Sequence, residues 1–402
     1  MTSTTARAAL AYAKSGKGAA SSATAGSPLA GQVDPSRRFS DRYSWKRGAT
    51  TPLFTNASQA PGYALASIYW FAPFPLYKYV SNPIAKYIAP YSTDHDSGQG
   101  GISLALCGDP AKDSDRPLGP WSQYQPPSGV GNPVLPGAVF VDRRVATGVS
   151  PQTGAAVTTI NDAAGQTETP SIIWDSKIGG PRMFYQQING AWTPPSGVET
   201  ASYAGQCTLS CVSMDGGRTW TKDPNFIIDH LPGYLGVGGH TGYFNTFQVN
   251  DRWEAYHLVR DTNRSTFGLS HAIDGGSEWS RDYRELGLYM HVVPRPDGVR
   301  RFISWNHCQV VRMKDGLKLI GIASNFSSGS TPKDARIIMA PIADDLRTIT
   351  GPVEIIWSPT LAWESGDLRS VNIMVDYGVI YVFYLCKTLA GAQNVGVLTY
   401  GV

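Results

Sequence analysis

Ser213-Met-Asp-Gly-Gly-Arg-Thr-Trp220 reads as a tight turn between two strands. Asp215 is placed to accept hydrogen bonds from the turn amides, Gly216 and Gly217 permit positive φ, and Trp220 can pack back onto the hairpin. A degraded copy follows at Ala272-Ile-Asp-Gly-Gly-Ser-Glu-Trp279. Asp215 and Asp274 stand 59 residues apart, so the chain repeats a structural unit of that size.

On either side of these turns one grammar recurs: short apolar, β-rich runs separated by Gly, Asp, Asn and Pro turn signals. One unit reads 171–174, 182–185, 208–211 and then Trp220; the next reads 243–247, 253–256, 267–270 and Trp279. Two more read 308–311, 317–320, 336–339 and 371–374, 380–384, 395–398. An earlier, less regular unit reads 65–68, 76–79, 102–105 and Gly119-Pro-Trp121. Convincing helical patterns are absent, apart from a single turn over residues 81–90. The pattern predicts an all-β chain of five four-stranded antiparallel units set around an axis, a five-bladed β-propeller. The last unit runs out of chain with three strands, so Tyr43-Ser-Trp45 is expected to supply its outer strand and close the ring without a free edge. Trp45 would then occupy the place held by Trp121 and Trp220. Residues 40–402 form one domain on this reading. Residues 1–39, rich in Ala, Ser, Thr and Gly, form a flexible or anchoring arm.

Composition agrees. The 402 residues are 42% hydrophobic and only 16% charged, with 43 Gly, 20 Tyr and 11 Trp, as a turn-rich all-β protein requires. The aromatic supply also suits stacking on sugar rings. A net charge of +3 argues against a nucleic-acid partner. The five cysteines lack metal-site or disulfide-framework spacing, and a bridge between Cys207 and Cys211 on one side of a strand is disfavoured. No run is long and apolar enough for a membrane span, and no apolar secretory leader is evident, which favours a cytoplasmic or virion-associated protein.

In such a ring, residues just before each innermost strand line the axial pocket. Those positions hold Glu168, His240, then Trp305, Asn306 and His307, then Asp367 with Arg369. The spacings, 72 from 168 to 240, 66 from 240 to 306 and 61 from 306 to 367, place these groups at one structural position in successive units. Charged and imidazole groups thus recur where a packed core would want Val or Ile. Asp94 and Asp96 sit in a long insertion of the first unit that could fold over the pocket. An axis filled by aliphatic side chains would argue against chemistry there.

Two resemblances bear on these residues. Ser213–Trp220 resembles the Asp-box of sialidase-type β-propellers, which marks a blade rim and not an active site. Gly119-Pro-Trp121, Gly239-His-Thr-Gly-Tyr-Phe244 with Asp251-Arg-Trp-Glu-Ala-Tyr-His257, and Thr167-Glu-Thr-Pro170 resemble motifs of five-bladed glycoside hydrolases of the arabinanase, xylosidase and fructosidase type. That second resemblance implies hydrolysis of an oligo- or polysaccharide by inward carboxylates on different blades. Glu168 would be the general acid. His240 would position water or a single axial cation such as calcium, or contact sugar hydroxyls. Trp305, Asn306, His307 and Arg369 are the remaining substrate-binding candidates. The family's early Asp-Pro is missing, since Gln59-Ala-Pro-Gly62 stands there, so Asp367, Asp96 or Asp94 would have to serve as base. The alternative is a non-catalytic carbohydrate-binding or structural propeller, for example a phage virion component attached through its N-terminal arm.

Overall fold

A computed structural model describes residues 33–38, 45–56, 68–93, 101–127, 138–140, 146–149, 156–159, 166–188, 206–223, 227–228, 242–260, 265–280, 291–294, 300–324, 335–364, 367–388 and 390–401. The chain is an all-β propeller of five antiparallel blades, built in sequence order from the inside out. Blade 1 pairs Ile68–Phe71, Tyr87–Thr93, Ile102–Cys107 and Ser122–Gln123. Blade 2 pairs Gln166–Asp175, Gly180–Ile188, Gln206–Val212 and Thr221–Lys222. Blade 3 pairs Asn245–Val249, Arg252–Arg260 and Ser265–His271, with an outer bridge from Ala272 to Trp279. Blade 4 pairs Arg300–Met313, Gly316–Ser324, Arg336–Pro341 and Val353–Trp357. Blade 5 pairs Asp367–Asp376, Val379–Lys387 and Gln393–Gly401.

The strands form because both faces of each blade are covered. In Val379–Lys387 of blade 5, Ile380, Val382, Tyr384 and Cys386 pack toward blade 4. The alternate residues Tyr381, Phe383 and Leu385 pack toward blade 1. Such a strand reads as one unbroken apolar run, since its period-2 sides are both buried. Five hydrophobic clusters result, one at each interface between successive blades and one between blades 5 and 1. A closed five-membered ring requires that number of interfaces. All five cysteines are buried in these strands without a disulfide. Among the described residues no helix is long and apolar enough to cross a membrane.

Closure uses the N-terminal segment, in the two residues that follow the expected 43–45. Lys46 and Arg47 pair antiparallel with Thr399 and Leu398, giving blade 5 its fourth strand. Trp45 is buried among blade 4 and blade 5 residues and packs 5.3 Å from the Tyr400 ring. Arg47 anchors the strand: its guanidinium meets the buried Glu364 carboxylate, Ser358 O at 3.0 Å and Thr360 Oγ1 at 2.8 Å. Within the segment read as an arm, Val33–Arg38 forms a strand parallel to Val353–Trp357 of blade 4; residues 1–32 lie outside the described residues.

Blade 1 departs from the sequence reading. Its inner strand lies three residues later than 65–68, and Leu76–Lys78 is a 3₁₀ turn instead of a strand. Pro75 precedes that turn and fixes a φ that suits it. The second strand then comes from Tyr87–Thr93, where one helical turn was expected at 81–90. Its residues are buried without exception, so burial outweighs the weak local pattern.

The Ser213–Trp220 turn has the expected internal geometry. Asp215 Oδ1 accepts from Arg218 N at 3.0 Å and Thr219 N at 2.9 Å, and Thr219 Oγ1 donates to Oδ2 at 2.5 Å. Gly216 and Gly217 have φ of 73° and 92°, and Trp220 Nε1 donates to Gly217 O at 3.2 Å. In the 272–279 copy Trp279 makes the same bond to Gly276 O, at 2.7 Å. There Asp274 instead pairs with Lys177 of blade 2. A third hairpin, 342–349 in blade 4, shares the arrangement. Asp345 Oδ1 accepts from Arg347 N at 2.8 Å and Thr348 N at 2.9 Å, and Leu346 holds φ 57° where the others have Gly. Each hairpin docks on the preceding blade: Arg218 Nη1 donates to Asn82 O, Ser277 Oγ to Asp175 Oδ2, and Tyr256 Oη to Leu346 O.

Candidate functional site at the axis

Every inner strand carries one extra residue at the same level. The register slips between Tyr69 and Phe71, Glu168 and Ser171, Asn306 and Gln309, and Leu368 and Ser370. In blade 3 the Gly242 O···Leu258 N bond precedes the Asn245–Tyr256 pair and requires the same insertion. A bulge re-aims the residue it carries. The five re-aimed residues are Trp70, Thr169, Tyr243, His307 and Arg369, and the first four have φ of 62°, 53°, 55° and 52°.

Three of them meet. The Trp70 ring stacks on Tyr243 with centroids 5.1 Å apart and meets the His307 imidazole edge-on at 4.1 Å, and Tyr243 lies 5.4 Å from His307. Blade 1 is adjacent to neither blade 3 nor blade 4, so rings from these blades can touch only on the axis. Among the described residues the axis is therefore filled at this level by aromatic and imidazole groups. Trp70 is fully buried, with its indole Nε1 lacking a hydrogen-bond partner.

Charged groups sit around this cluster. Glu168 is 1% exposed, and Gln186 Nε2 donates to its Oε1 at 3.1 Å. Tyr69, also buried, hydrogen-bonds Tyr243 and lies within electrostatic reach of Glu168 and Arg369. Burial pushes the Tyr69 hydroxyl well above its usual value; Tyr243 and Glu168 add to this and Arg369 opposes it. Tyr69 is thus a neutral donor at any physiological pH. Arg369 Nε lies 3.2 Å from Asp367 Oδ2. Burial, helped by the Arg369 charge, pushes the His307 imidazole down to about 3. Among the described residues no group of three His, Cys, Asp or Glu is arranged to hold a metal ion.

The structure brings Glu168, His307, Asp367 and Arg369 to one end of the axis. Asn306 lies in the same inner strand, paired with Ile322. Trp305 is 1% exposed and packs in the core between blades 3 and 4. His240, Asp94 and Asp96 lie outside the described residues. Sequence reasoning missed Tyr69, Trp70 and Tyr243. The blade 1 inner strand was read three residues too early, and the bulge reverses side-chain direction where simple alternation would continue.

Below the aromatic cluster a belt of hydrogen bonds links all five blades. Ser92 Oγ accepts from Thr169 N, Ser171 Oγ donates to Phe244 O, and Gln309 Nε2 donates to Thr246 O. Ile373 N donates to Gln309 Oε1, and Asn372 Nδ2 donates to Phe71 O at 2.7 Å. Beyond the belt, at the opposite end of the axis, opens a cavity of about 500 Å³.

No family model and no curated protein sequence matches this chain. Solved structures do resemble it. An N-acetylgalactosamine deacetylase from F. plautii in complex with blood group B trisaccharide shares 11% identity, over 89% of this chain and 95% of that one, with a TM-score of 0.54. A chain described as a glycoside hydrolase shares 12% identity, over 87% of this chain and 91% of that one, with a TM-score of 0.50. At such identities the likeness is one of fold.

Proposed function

We propose that this chain is a glycan-active propeller, a glycoside hydrolase that works at the axial end where Glu168, His307, Asp367 and Arg369 gather. The observation that carries the reading is the buried Glu168 carboxylate beside Tyr69 at the axis, a place where packing alone would favour an aliphatic residue. Both similar folds named above belong to proteins whose descriptions concern glycans. Glu168 protonates the glycosidic oxygen, and Asp367, held by Arg369, supplies the carboxylate on the other side of the oxocarbenium-like transition state. Tyr69 and the neutral His307 bind sugar hydroxyls. We read the 213–220, 272–279 and 342–349 hairpins as Asp-box repeats on the blade rims, remote from this chemistry.

Glu168→Gln keeps the shape and the Gln186 contact while removing the acid. Sugar release from a panel of chromogenic glycosides and polysaccharides should fall by at least about 100-fold, as loss of a general acid predicts, with an unchanged melting temperature. Undiminished turnover would remove Glu168 from the mechanism. One observation favours the non-catalytic alternative, a carbohydrate-binding propeller: the Trp70, Tyr243 and His307 rings already fill the axis. Glycan binding without release by the unaltered protein would establish it.

A further inference from the structure

We infer that the cavity at the far end of the axis is a second binding site, suited to a neutral polyhydroxylated ligand of about one sugar unit. Its volume of about 500 Å³ falls in the usual range for small-molecule sites. It lies past the bulges in every inner strand, so the aromatic cluster and the hydrogen-bonded belt separate it from Glu168.

The chemistry of the lining selects the ligand class. The floor is polar but committed: Thr246 Oγ1 bonds Ile172 O at 3.4 Å, Gln309 Nε2 bonds Thr246 O at 2.7 Å, and Asn372 Nδ2 bonds Phe71 O. It is a rigid base with little left to recognise. Phe247 and Trp253 add aromatic surface, which suits the C–H faces of a sugar ring, while Tyr79 is stacked between Phe74 and Trp174 and stiffens the wall. Recognition falls to the rim. Arg312 is exposed there and uses one N–H, from Nη2 to Asn250 Oδ1 at 2.6 Å. A guanidinium has five N–H donors, so most of its capacity is left for a ligand at this rim. Asp251, in the same turn as Asn250, supplies acceptors.

The charges on this rim balance. Lys78 is already neutralised by Asp376, 2.8 Å away, and also donates to Val375 O. Arg312 and Asp251 then remain as one cation and one anion. A carboxylate ligand would face Asp251, and an ammonium ligand would face Arg312. A neutral polyol, with hydroxyls that both donate and accept, satisfies the two together.

Saturation-transfer NMR and calorimetry with the methyl glycosides of glucose, galactose and mannose, and with galacturonate, test this on the full chain. At least one neutral glycoside should saturate. Arg312→Ala should weaken it by at least about tenfold, as loss of charge-assisted hydrogen bonds predicts. Asp251→Asn should weaken it as well, and Glu168→Gln should leave it unchanged. Arg312 is exposed with a single side-chain bond, so its variant should melt like the wild type. The inference is overturned if no neutral glycoside saturates, or if galacturonate binds more tightly than any of them. It is also overturned if Arg312→Ala binds normally, or if Glu168→Gln abolishes the signal, because the sugar would then sit at the other end.

Discussion

At the scale of single residues, His307 gives the axis a measurable signature. Its imidazole lies against Trp70 and Tyr243 with Arg369 nearby, and burial together with that charge lowers its protonation to about 3. In the unfolded chain it titrates near the usual histidine value of about 6.5. Between those limits the unfolded state binds the proton and the folded state does not, so folding stability is full above pH 6.5 and falls as pH drops toward 3. The loss from this one group is at most about 1.4 kcal/mol per pH unit in that window. Urea unfolding at pH 6.5, 5.5 and 4.5 should therefore show a shallower acid-side decline in His307→Gln than in the wild type. Parallel declines would place the imidazole in water.

At the scale of elements, the rim hairpins are the part most legible in sequence. Each needs only a short stretch of chain: an Asp in the turn, a left-handed residue after it and an apolar residue, Trp or Ile, to fold back. In Asp215 burial raises the carboxyl, but hydrogen bonds from Thr219, Ser213 and Arg218 outweigh it and hold the group below its usual value. Asp345 behaves in the same way with Arg347 and Thr348. Asp215→Ala and Asp345→Ala should each cost about 1–2 kcal/mol, as loss of a comparable cap does. Because the two lie in different blades their costs should add, and a double variant well short of the sum in urea unfolding would contradict this. The third hairpin is hard to read in sequence because Leu346 stands in the glycine position and Ile349 in the tryptophan position. The axial end was only half legible. Register located Glu168, His307, Asp367 and Arg369, since spacing survives turn variation. Tyr69, Trp70 and Tyr243 were hidden, because a one-residue bulge leaves no compositional trace.

At the scale of the whole molecule, closure joins segments more than 300 residues apart. Glu364 is 1% exposed and accepts from Tyr384 Oη and the Thr360 and Leu361 amides as well as facing Arg47. Arg47→Ala would strand a buried carboxylate, at a cost of about 3 kcal/mol, the lower end of the usual range because those other donors remain. Deleting residues 40–48 removes Trp45 and the outer strand together and should lower the melting temperature of the entire domain in one transition. Melting of the truncated chain at the wild-type temperature would show that the ring closes without them. The axial bulges carry a different implication. Trp70, Thr169, Tyr243 and His307 hold left-handed backbone that glycine would adopt freely, and a non-glycine residue there costs about 1 kcal/mol or more. Glycine at Trp70 would relieve that strain but empty a fully buried position, and loss of a buried aromatic costs about 3–5 kcal/mol, so what the side chain fills on the axis outweighs the discomfort of the backbone that presents it.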